Sequence, residues 1–577
     1  MTGAEYIAEF LHQRGVQNVF LITGGACAFI VDAIHRHKDL KYTCFQHEQA
    51  CAMAADSIYR IDKNVGVTVA TSGPGATNLI TGIACSYFDS IPSFHITGQV
   101  NQTEAANFLG AQVRQAGFQE TNIVDMVKPI TKYAVQIKNG NELKKELIKA
   151  WNLAISDRKG PVLLDIPMNV QKEEVGDIIE YYPPEEENSV INIDQINAFF
   201  KDGKRPLVLF GAGVGLAGVA KNVEKWLIES KIPFVTSWNG CTYFNHNIDN
   251  FYGKLGVYGD RSANFLIQNC DRLLVLGSRL DNRQRSGSIK NFAISGKVMV
   301  IDVDIEELKK YKKEEYETIN ANLKHIPFEK ISPVNIENEW KDFADDLKKQ
   351  YFGKDLSLFS VANNTLSPYK VVQKINKLIK DDAIVVADDG ANLCWVFKAF
   401  HVTNHILYTA GGNSPMGYSF PASIGAALHA PERQIIAFTG DGSMQMNIQE
   451  LQTMRYHNLN IKLFILNNDG YGIIKQFQDL YFESRYAATG YGYSCPDFKK
   501  IVEAYDIKYF NINSLEDVTK EIFDYQGPAV INVNLHQNTL IEPKLELGKP
   551  IHDQYPYISG DEFEKNSKYC KNTRLKD

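Results

Sequence analysis

The chain has 577 residues, 44% of them hydrophobic and 22% charged, which is typical of a water-soluble globular protein with about three or four domains. A formal net charge of −7 argues against a general nucleic-acid-binding protein. No run of about 18 apolar residues occurs, so no membrane-spanning helix is expected. Nine cysteines without a C-x-x-C pair indicate reduced thiols. With no signal peptide ahead of the first helix, we expect a cytoplasmic protein.

The first part of the chain alternates short apolar strands with helix-length segments. Thr2 is a candidate cap for a helix that ends near Gly15. Strands are predicted at residues 19–22, 65–71, 93–97 and 162–165. Apolar strands between helices are typical of parallel sheets covered on both faces. We therefore expect a first α/β domain at residues 1–172.

Two further α/β sets follow a charged stretch at residues 173–188, which we interpret as a linker. In the second set, strands are predicted at residues 206–210, 233–236, 272–277 and 297–302. The expected domain limits are 190–345 and, after a weakly patterned region that ends at 351–364, 366–545, with a tail at 546–577. Glycine turns after apolar strands at 72–75 and 440–442 indicate that the first and third domains share a plan. The predicted fold class is α/β, with three doubly wound parallel-sheet domains.

The most informative segment is Gly440-Asp441-Gly442-Ser443, which is followed by Asn467-Asn468. We predict a strand at 435–439, a glycine turn, a helix at about 446–457 and a strand at 461–466. Asp441 and Asn468 then follow neighbouring parallel strands, and their side-chain oxygens meet at one edge of the sheet. Such oxygens, with the carbonyl of Gly470, suit Mg²⁺, and N–H groups at a helix N-terminus suit a diphosphate. A lone Gly-Asp-Gly turn is common, but the complete pattern resembles the motif of thiamin-diphosphate enzymes.

Other short motifs make the resemblance more specific. Taken together, the motifs between Gly3 and about Asn534 resemble those of the acetolactate synthase (acetohydroxyacid synthase) family. They lie at residues 23–26, 45–55, 71–78, 96–100, 117–120, 160–170 and 411–425. The resemblance implies a pyrimidine-binding first domain, a flavin-like central domain and a diphosphate-binding third domain. It also implies a homodimer or homotetramer, in which the two sides of one cofactor contact different chains.

The resemblance also implies roles for individual residues. Glu48 would activate the aminopyrimidine of the cofactor by sharing a proton with its ring nitrogen; the alternative is a solvated glutamate at a helix start. Met416 would separate the cofactor's two rings, or it is an ordinary core methionine. The metal ligands would be Asp441, Asn468 and Gly470. The remaining residues implied for cofactor binding are Thr71, Pro74, Asn78, Asn392, Gly440, Gly442 and Ser443.

Three residues are implied for the substrate side. Gly25 would offer a backbone N–H near the reacting centre, where stabilising an oxyanion accelerates acyl chemistry. Phe118 and Gln119 would line the substrate pocket, or they form a loop whose aromatic ring contributes only to stability. Two departures from the family concern the acceptor. Phe477 replaces a tryptophan and Met168 replaces a lysine, so the predicted acceptor pocket is less bulky and less cationic.

The central domain resembles the flavin-binding domain of the family. Gly211 and Gly213 follow a strand, which by itself is a weak signal for a phosphate-binding loop. Arg279 and Arg283 are placed as in flavin-containing members of the family. We expect FAD as a third cofactor, besides thiamin diphosphate and Mg²⁺. The alternative is a central domain that binds no nucleotide.

Three functions remain open on the sequence. The leading one is decarboxylation of a 2-ketoacid, pyruvate, with transfer of the two-carbon unit to an acceptor, as in acetolactate synthase. A close alternative is transfer to a ketone or aldehyde, such as a nucleotide-linked ketosugar. A non-catalytic subunit with a retained fold is disfavoured because Glu48, Asp441 and Asn468 are all present. Partners other than small-molecule substrates and further copies of the chain are not expected; in particular, we expect neither nucleic acid nor a membrane as a partner.

Overall fold

The computed structural model describes residues 1–110, 112–177, 191, 193–311, 316–353 and 366–570. Most of the predicted linker, residues 354–364 and the last seven residues of the predicted tail lie outside the described residues. Within the part of the chain that is described, no helix combines the length and apolar character needed to cross a bilayer.

The first sheet has six parallel strands with helices on both sides. Its strands are β1 (Asn18–Leu21), β2 (Lys41–Cys44), β3 (Gly66–Ala70), β4 (Ser93–Gln99), β5 (Tyr133–Gln136) and β6 (Val162–Pro167). Its helices are α1 (Gly3–Gln13), α2 (Ala28–Arg36), α3 (Glu48–Asp62), α4 (Pro74–Asn78), α5 (Ile80–Asp89), α6 (Ile123–Val127), α7 (Gly140–Ile155) and α8 (Met168–Lys172). Thr2 caps α1 through a reciprocal capping box with Glu5, as predicted from its position.

The central sheet also has six parallel strands. They are β7 (Pro206–Phe210), β8 (Phe234–Thr236), β9 (Phe251–Lys254), β10 (Arg272–Leu276), β11 (Lys297–Asp302) and β12 (Tyr316–Asn320). The helices are α9 (Asp194–Lys201), α10 (Gly213–Leu216), α11 (Ala220–Ser230), α12 (Arg261–Asn269), α13 (Asn282–Arg285), α14 (Ile305–Leu308) and α15 (Asn338–Tyr351). The strand order, β12-β11-β10-β7-β8-β9, places the topological switch between β7 and β10.

The third sheet is again six-stranded and parallel. Its strands are β13 (Ile384–Ala387), β14 (Ile406–Tyr408), β15 (Ile435–Gly440), β16 (Ile461–Asn467), β17 (Lys508–Ile512) and β18 (Ala529–Asn534). Its helices are α16 (Pro368–Leu378), α17 (Ala391–Ala399), α18 (Ser419–His429), α19 (Asp441–Met446), α20 (Leu451–Tyr456), α21 (Gly472–Tyr481), α22 (Phe498–Ala504) and α23 (Lys520–Asp524). The third range ends with β19 (Lys544–Leu545), and the tail adds β20 (Gln554–Tyr555) and α24 (Gly560–Asn566).

These three parallel sheets confirm the predicted α/β fold class. Two predicted strands, 206–210 and 297–302, have the bounds that the structure gives them. The helix predicted at 446–457 is wrong in its start, because α19 already begins at Asp441. A short 3-10 turn at Ile448–Glu450 then separates α19 from α20. The glycine turn is therefore the first turn of a helix, which directs the N–H groups of that turn at the end of the sheet.

The first and third domains share one apolar core. Helix α3 of the first domain contacts α18 of the third, and buried residues of both belong to the same cluster. The hydroxyl of Tyr418 also donates a hydrogen bond to Asp56 across this contact. Because α3 begins at Glu48, the packing of α3 against the third domain fixes the position of that carboxyl group.

Candidate active site

A pocket of about 700 Å³, counting its open mouth, lies at the carboxyl edge of the third sheet. Strands β15 and β16 are neighbours, with Gly440 in register with Leu466, so the residues that follow them meet here. Its lining includes the predicted residues Asn392, Met416, Gly440, Asp441, Gly442, Ser443, Asn468 and Gly470. All of the lining residues lie between Asp389 and Ile474. The pocket is therefore formed by the third domain.

The predicted metal ligands come together in this pocket. Asp441 and Asn468 are 1% and 3% exposed. The carboxylate of Asp441 accepts hydrogen bonds through Oδ2 from the N–H of Gly470, at 2.9 Å, and from the hydroxyl of Tyr493. Burial raises the pKa of Asp441, and the bonds from Tyr493 and Gly470 oppose that shift. A buried carboxylate beside amide and carbonyl oxygens is a donor set that fits Mg²⁺.

The diphosphate side of the pocket also fits its predicted ligand. Helices α17 and α19 both begin at the pocket, so N–H groups of their first turns line it. Two buried polar atoms in the pocket, Asn392 Oδ1 and Asn468 Nδ2, have no hydrogen-bond partner among the described residues. A Cβ at Gly442 would lie 2.4 Å from Tyr471 Cε1, so only glycine fits at this position.

Asp388, which the sequence analysis missed, holds the segment that carries Met416. Its buried carboxylate accepts hydrogen bonds from the N–H of Gly417, at 2.8 Å, and from the hydroxyls of Ser419 and Thr439, both at 3.0 Å. Burial raises the pKa of Asp388 to about 6. Its position directly after an apolar strand was the available signal, because strand ends carry the polar groups of such a site.

Glu48 lies at the corresponding edge of the first sheet. It is the first residue of α3, is 7% exposed, and accepts a hydrogen bond from Asn78 Nδ2 at 3.0 Å. Thr71 follows β3, and its hydroxyl accepts the N–H of Ala26 at 3.3 Å, beside Gly25. Pro74 begins α4, the helix that carries Asn78. The structure therefore groups the predicted pyrimidine-side residues, away from the pocket of the third domain.

The substrate-side loop is open in a single chain. Phe118 is 85% exposed, and Gln119 has a φ of 62°. Open space lies in front of Gly25, because a Cβ there would meet no atom within 4 Å. Within the described part of the chain, the ring of Phe118 is therefore not enclosed by residues of its own chain.

Glu450 connects the two edges, and sequence reasoning missed it. It follows α19 in the third domain, and its carboxylate accepts the N–H of Gln46 through both oxygens, at 3.1 and 3.3 Å, and the hydroxyl of Thr453 at 2.6 Å. Burial raises the pKa of Glu450 to about 7. Gln46 lies two residues before Glu48, so the third domain holds the loop that presents Glu48. A partner 404 positions away along the chain leaves no local signal.

A larger cleft of about 1540 Å³, counting its open mouth, lies where the three domains meet. Gly213, Arg279 and Arg283 line it. The N–H groups of Gly211 and Gly213 donate to the carbonyls of Leu276 and Gly277, at 2.9 and 3.0 Å. These two glycine amides are therefore engaged within the central sheet. Arg279 and Arg283 are two of several charged residues of both signs in the lining; the others are Arg60, Arg158, Lys159, Asp89, Asp157, Asp281 and Asp302.

Comparison with known proteins agrees with this geometry. Residues 1–126, 193–326 and 388–533 match the N-terminal TPP-binding, central and C-terminal TPP-binding domains of thiamine pyrophosphate enzymes. The chain is 31% identical over 573 residues to an acetolactate synthase large subunit of Cyanidium caldarium, with 95% of each chain covered. Identity to the isozyme 1 large subunit of Escherichia coli is also 31%, over 559 residues, with 95% of this chain and 96% of the relative covered.

A more distant organism gives the same result. The probable acetolactate synthase large subunit of Methanocaldococcus jannaschii is 32% identical over 541 residues, with 90% of this chain and 89% of the relative covered. The similarity extends over all three domains. The chain is a thiamin-diphosphate-dependent enzyme and belongs to the family of the acetolactate synthase large subunits.

Proposed function

We propose that the protein is an acetolactate synthase-like carboligase that decarboxylates pyruvate and transfers the remaining two-carbon unit to a second 2-ketoacid. The observation that carries the proposal is the pocket in which Asp441, Asn468 and Gly470 meet at the ends of β15 and β16. Pyruvate loses its carboxyl carbon as CO₂, and its other two carbons join the carbonyl carbon of the acceptor. With pyruvate as the acceptor, the product is 2-acetolactate.

Residues of the third domain would bind the diphosphate, the metal ion and the rings of the cofactor. Thiamin diphosphate, when bound, supplies a nucleophilic carbon and takes up the electron pair that remains as CO₂ leaves. Asp441, Asn468 and the carbonyl of Gly470 would hold Mg²⁺, and Asn392, Gly440, Gly442 and Ser443 would hold the diphosphate. Met416, fixed by the bonds of Asp388 to the next residues, would separate the rings of the cofactor.

On the other side, Glu48 would hold a proton at the pyrimidine ring. Its carboxyl group is buried and hydrogen-bonded to Asn78, which fixes its direction. Thr71 and Pro74 would shape the same wall, and the N–H of Gly25 would face the developing oxyanion. Phe118 and Gln119 would line the substrate side.

We further propose a homodimer, or a homotetramer built from such dimers. The third-domain pocket has no lining residue from the first domain, and Phe118 is exposed in a single chain. A second copy that places Glu48 and Phe118 over this pocket would complete the site and cover the exposed ring. An interface that encloses a cofactor is of the large, obligate kind.

The central cleft is our proposed site for FAD. It is lined by Arg279, whose Nη2 lies 3.9 Å from Asp89 and from Asp281, and by Arg283. Because the amides of Gly211 and Gly213 are already bonded, Arg279 rather than these glycines would contact the diphosphate of a flavin. Visible absorbance of the purified protein, with a maximum near that of free flavin, is the expected result. A colourless protein that gains no flavin on incubation would favour the alternative, a domain without a nucleotide.

The remaining predictions belong with this proposal. For the domain limits of 1–172, 190–345, 366–545 and 546–577, the support is one six-stranded sheet within each of the first three ranges. Helix α15 runs past the second limit to Tyr351, and β19 at the end of the third range pairs with β20 of the tail. All nine cysteines are free, which supports a reducing compartment such as the cytoplasm. Transfer to a ketone or aldehyde, such as a nucleotide-linked ketosugar, is the less favoured alternative, because the relatives are named acetolactate synthases.

The direct experiment is incubation of the purified protein with ¹³C-labelled pyruvate, thiamin diphosphate and Mg²⁺, followed by NMR. We expect labelled CO₂ and 2-acetolactate, and neither when Mg²⁺ is replaced by a chelator. Release of CO₂ without 2-acetolactate, and formation of a new product once a ketone or aldehyde is added, would favour the alternative acceptor class.

A further inference from the structure

The C-terminal end of the third domain carries a buried lysine to which the proposed function assigns no role. Lys544 lies on β19, which pairs antiparallel with β20. The residue is 4% exposed, and its Nζ has no hydrogen-bond partner among the described residues. Burial of an ammonium group without an acceptor is costly, and burial lowers the pKa of Lys544. A group of this kind is expected to have a ligand that pairs with it.

The surroundings of Lys544 leave that pairing open. Its Nζ lies 5.9 Å from the centroid of the Phe477 ring, a favourable but weak contact. Asp479 and Glu546 are near enough to influence the pKa of Lys544, but neither forms an ion pair with it within 4.0 Å in the part of the chain that is described. The ammonium therefore lies against an aromatic face and is not neutralised by a carboxylate.

The position of Lys544 relates it to the cofactor pocket. Phe477 lies on α21, whose first turn contributes Ile473 and Ile474 to the pocket lining. Residues three and four apart share a helix face, so Phe477 continues the face of those isoleucines by one turn. Gln476 fixes the segment before Lys544 against this helix. Its side-chain amide donates a hydrogen bond to the carbonyl of Ile541 and accepts one from the N–H of Ile541, each at 3.0 Å. Lys544 thus follows a segment that is anchored beside the pocket.

A second cation borders the same region but is already paired. The charges of both Arg283 and Lys544 lower the pKa of the buried Cys394 thiol, although burial raises it overall. Arg283 donates a hydrogen bond to Ser414 at 3.0 Å and lies 3.6 Å from Asp389, a lining residue of the pocket. Of the two cations, Lys544 is the one that has no hydrogen-bonded partner in the described structure.

We propose that Lys544 binds the oxyanion of the acceptor substrate, a carboxylate or a phosphate, at the Phe477 end of the cofactor pocket. The inference rests on the proposed carboligase function and adds to it the charge of the acceptor. The sequence analysis predicted a less cationic acceptor pocket because Met168 replaces a lysine. With Lys544 at the pocket, a positive charge is supplied from a different position in the chain. A neutral acceptor gains nothing from Lys544, so the residue selects anionic acceptors.

The test compares wild type with Lys544→Met, which keeps the length of the chain and removes the charge. Labelled pyruvate is the donor, and the competing acceptors are 2-ketobutyrate, dihydroxyacetone phosphate and the neutral acetaldehyde, with products counted by mass spectrometry. Loss of a charged hydrogen bond should lower the yield from anionic acceptors, relative to acetaldehyde, by about 10- to 100-fold. Of the two anionic acceptors, the one whose product yield falls more in Lys544→Met carries the group that Lys544 binds: a carboxylate for 2-ketobutyrate, or a phosphate for dihydroxyacetone phosphate.

Lys544→Arg keeps the positive charge and should retain most of the wild-type product ratio. Lys475→Met is the matched control, because Lys475 lies on α21 but already has Asn538 as a partner at 3.1 Å. An unchanged product ratio in Lys544→Met would overturn the proposal, even if the melting temperature of the variant differed from that of wild type. That result would assign Lys544 a purely structural role.

Two different results separate this inference from the proposed function. A wild type that releases no CO₂ from pyruvate contradicts the carboligase proposal, whereas equal product ratios in wild type and Lys544→Met contradict the role of Lys544. Folding should not limit the test, because apolar replacement of a buried, unpaired charge is usually tolerated.

Discussion

The first and third sheets have the same strand order, and yet their carboxyl edges carry different chemistry. Numbered within each domain, both run 2-1-3-4-6-5, whereas the central sheet runs 3-2-1-4-5-6. The third sheet places a carboxylate, two amides and two helix N-termini at its edge, which suits a cation and a diphosphate. The first places Glu48 and its hydrogen-bond partner Asn78 there. The same strand order therefore supports two different parts of the proposed site. The residues that follow equivalent strands determine whether an edge suits the diphosphate side or the pyrimidine side of the cofactor.

The largest expected effect removes the metal-binding half. Asp441→Ala should abolish activity, because the buried carboxylate is the only acidic group among the proposed ligands in the described pocket. Calorimetry should show no Mg²⁺-dependent binding of thiamin diphosphate. Asp469→Asn, at an exposed neighbour in the same loop, is the control and should bind the cofactor normally. Equal cofactor affinity in wild type and Asp441→Ala would show that the metal is held elsewhere.

The same comparison shows what the sequence could predict. Apolar runs and glycine turns located the strands, and parallel strands place the residues that follow them at one edge. For this reason Asp441, Asn468 and Gly470 were predicted to meet, and the structure brings them into one pocket. Asp388 had a local signal that was overlooked. Glu450, Tyr493 and Lys544 had none, because their partners lie on other elements and only the packing brings them together. The prediction of a less cationic acceptor pocket considered position 168 alone and did not include Lys544.

The next effect removes the other half while leaving cofactor binding in place. Glu48→Gln keeps an oxygen that accepts the bond from Asn78 but cannot share a proton, so turnover should fall by about 10²- to 10⁴-fold. The measurement is hydrogen–deuterium exchange at the reactive carbon of the bound cofactor. Exchange at the wild-type rate would show that Glu48 is not the activating group.

Mixing the two inactive variants tests whether the halves come from different chains. If Glu48 and Asp441 serve one cofactor across an interface, a mixed dimer of Glu48→Gln with Asp441→Ala contains one intact site. Equal mixing after subunit exchange should restore about a quarter of the wild-type activity. No recovery, with mixed dimers present by native mass spectrometry, would place both halves in one chain.

A smaller effect concerns Glu450, which joins the two edges within a chain. Burial raises its pKa from the ordinary 4.5 to about 7, so the folded state holds the proton more tightly than the unfolded state. Its contribution to stability is complete below about pH 4.5 and is lost as the pH rises through about 7. Each pKa unit is worth about 1.4 kcal/mol, which makes the loss on the order of 3 kcal/mol across this window.

Glu450→Gln removes that titration and should flatten the decline of the thermal unfolding midpoint of the apoprotein between pH 5 and pH 8. The exposed Glu503→Gln is the control and should follow the wild-type curve. A Glu450→Gln protein with the wild-type pH dependence would mean that other buried carboxyls, such as Asp165 and Asp388, dominate the titration.

The smallest effect tests the contact between the two similar domains. Helix α3 packs closely against a glycine on each of two sides. A Cβ at Gly82, in the same domain, would lie 2.3 Å from Ala52 Cβ. A Cβ at Gly425, in the third domain, would lie 2.5 Å from the carbonyl oxygen of Ala54. Overpacking of this kind costs about 1–3 kcal/mol. Gly82→Ala and Gly425→Ala should therefore lower the melting temperature by similar amounts.

Their effects on catalysis should differ, because only Gly425→Ala pushes α3, and with it Glu48, away from the third domain. We expect Gly425→Ala to reduce turnover several-fold more than Gly82→Ala at equal loss of stability, with the cofactor affinity of the third-domain pocket unchanged in both. The measurements are differential scanning calorimetry and kcat on the same preparations. Equal losses of kcat would show that the position of Glu48 is set within the first domain alone, and that the shared core contributes stability but not catalytic alignment.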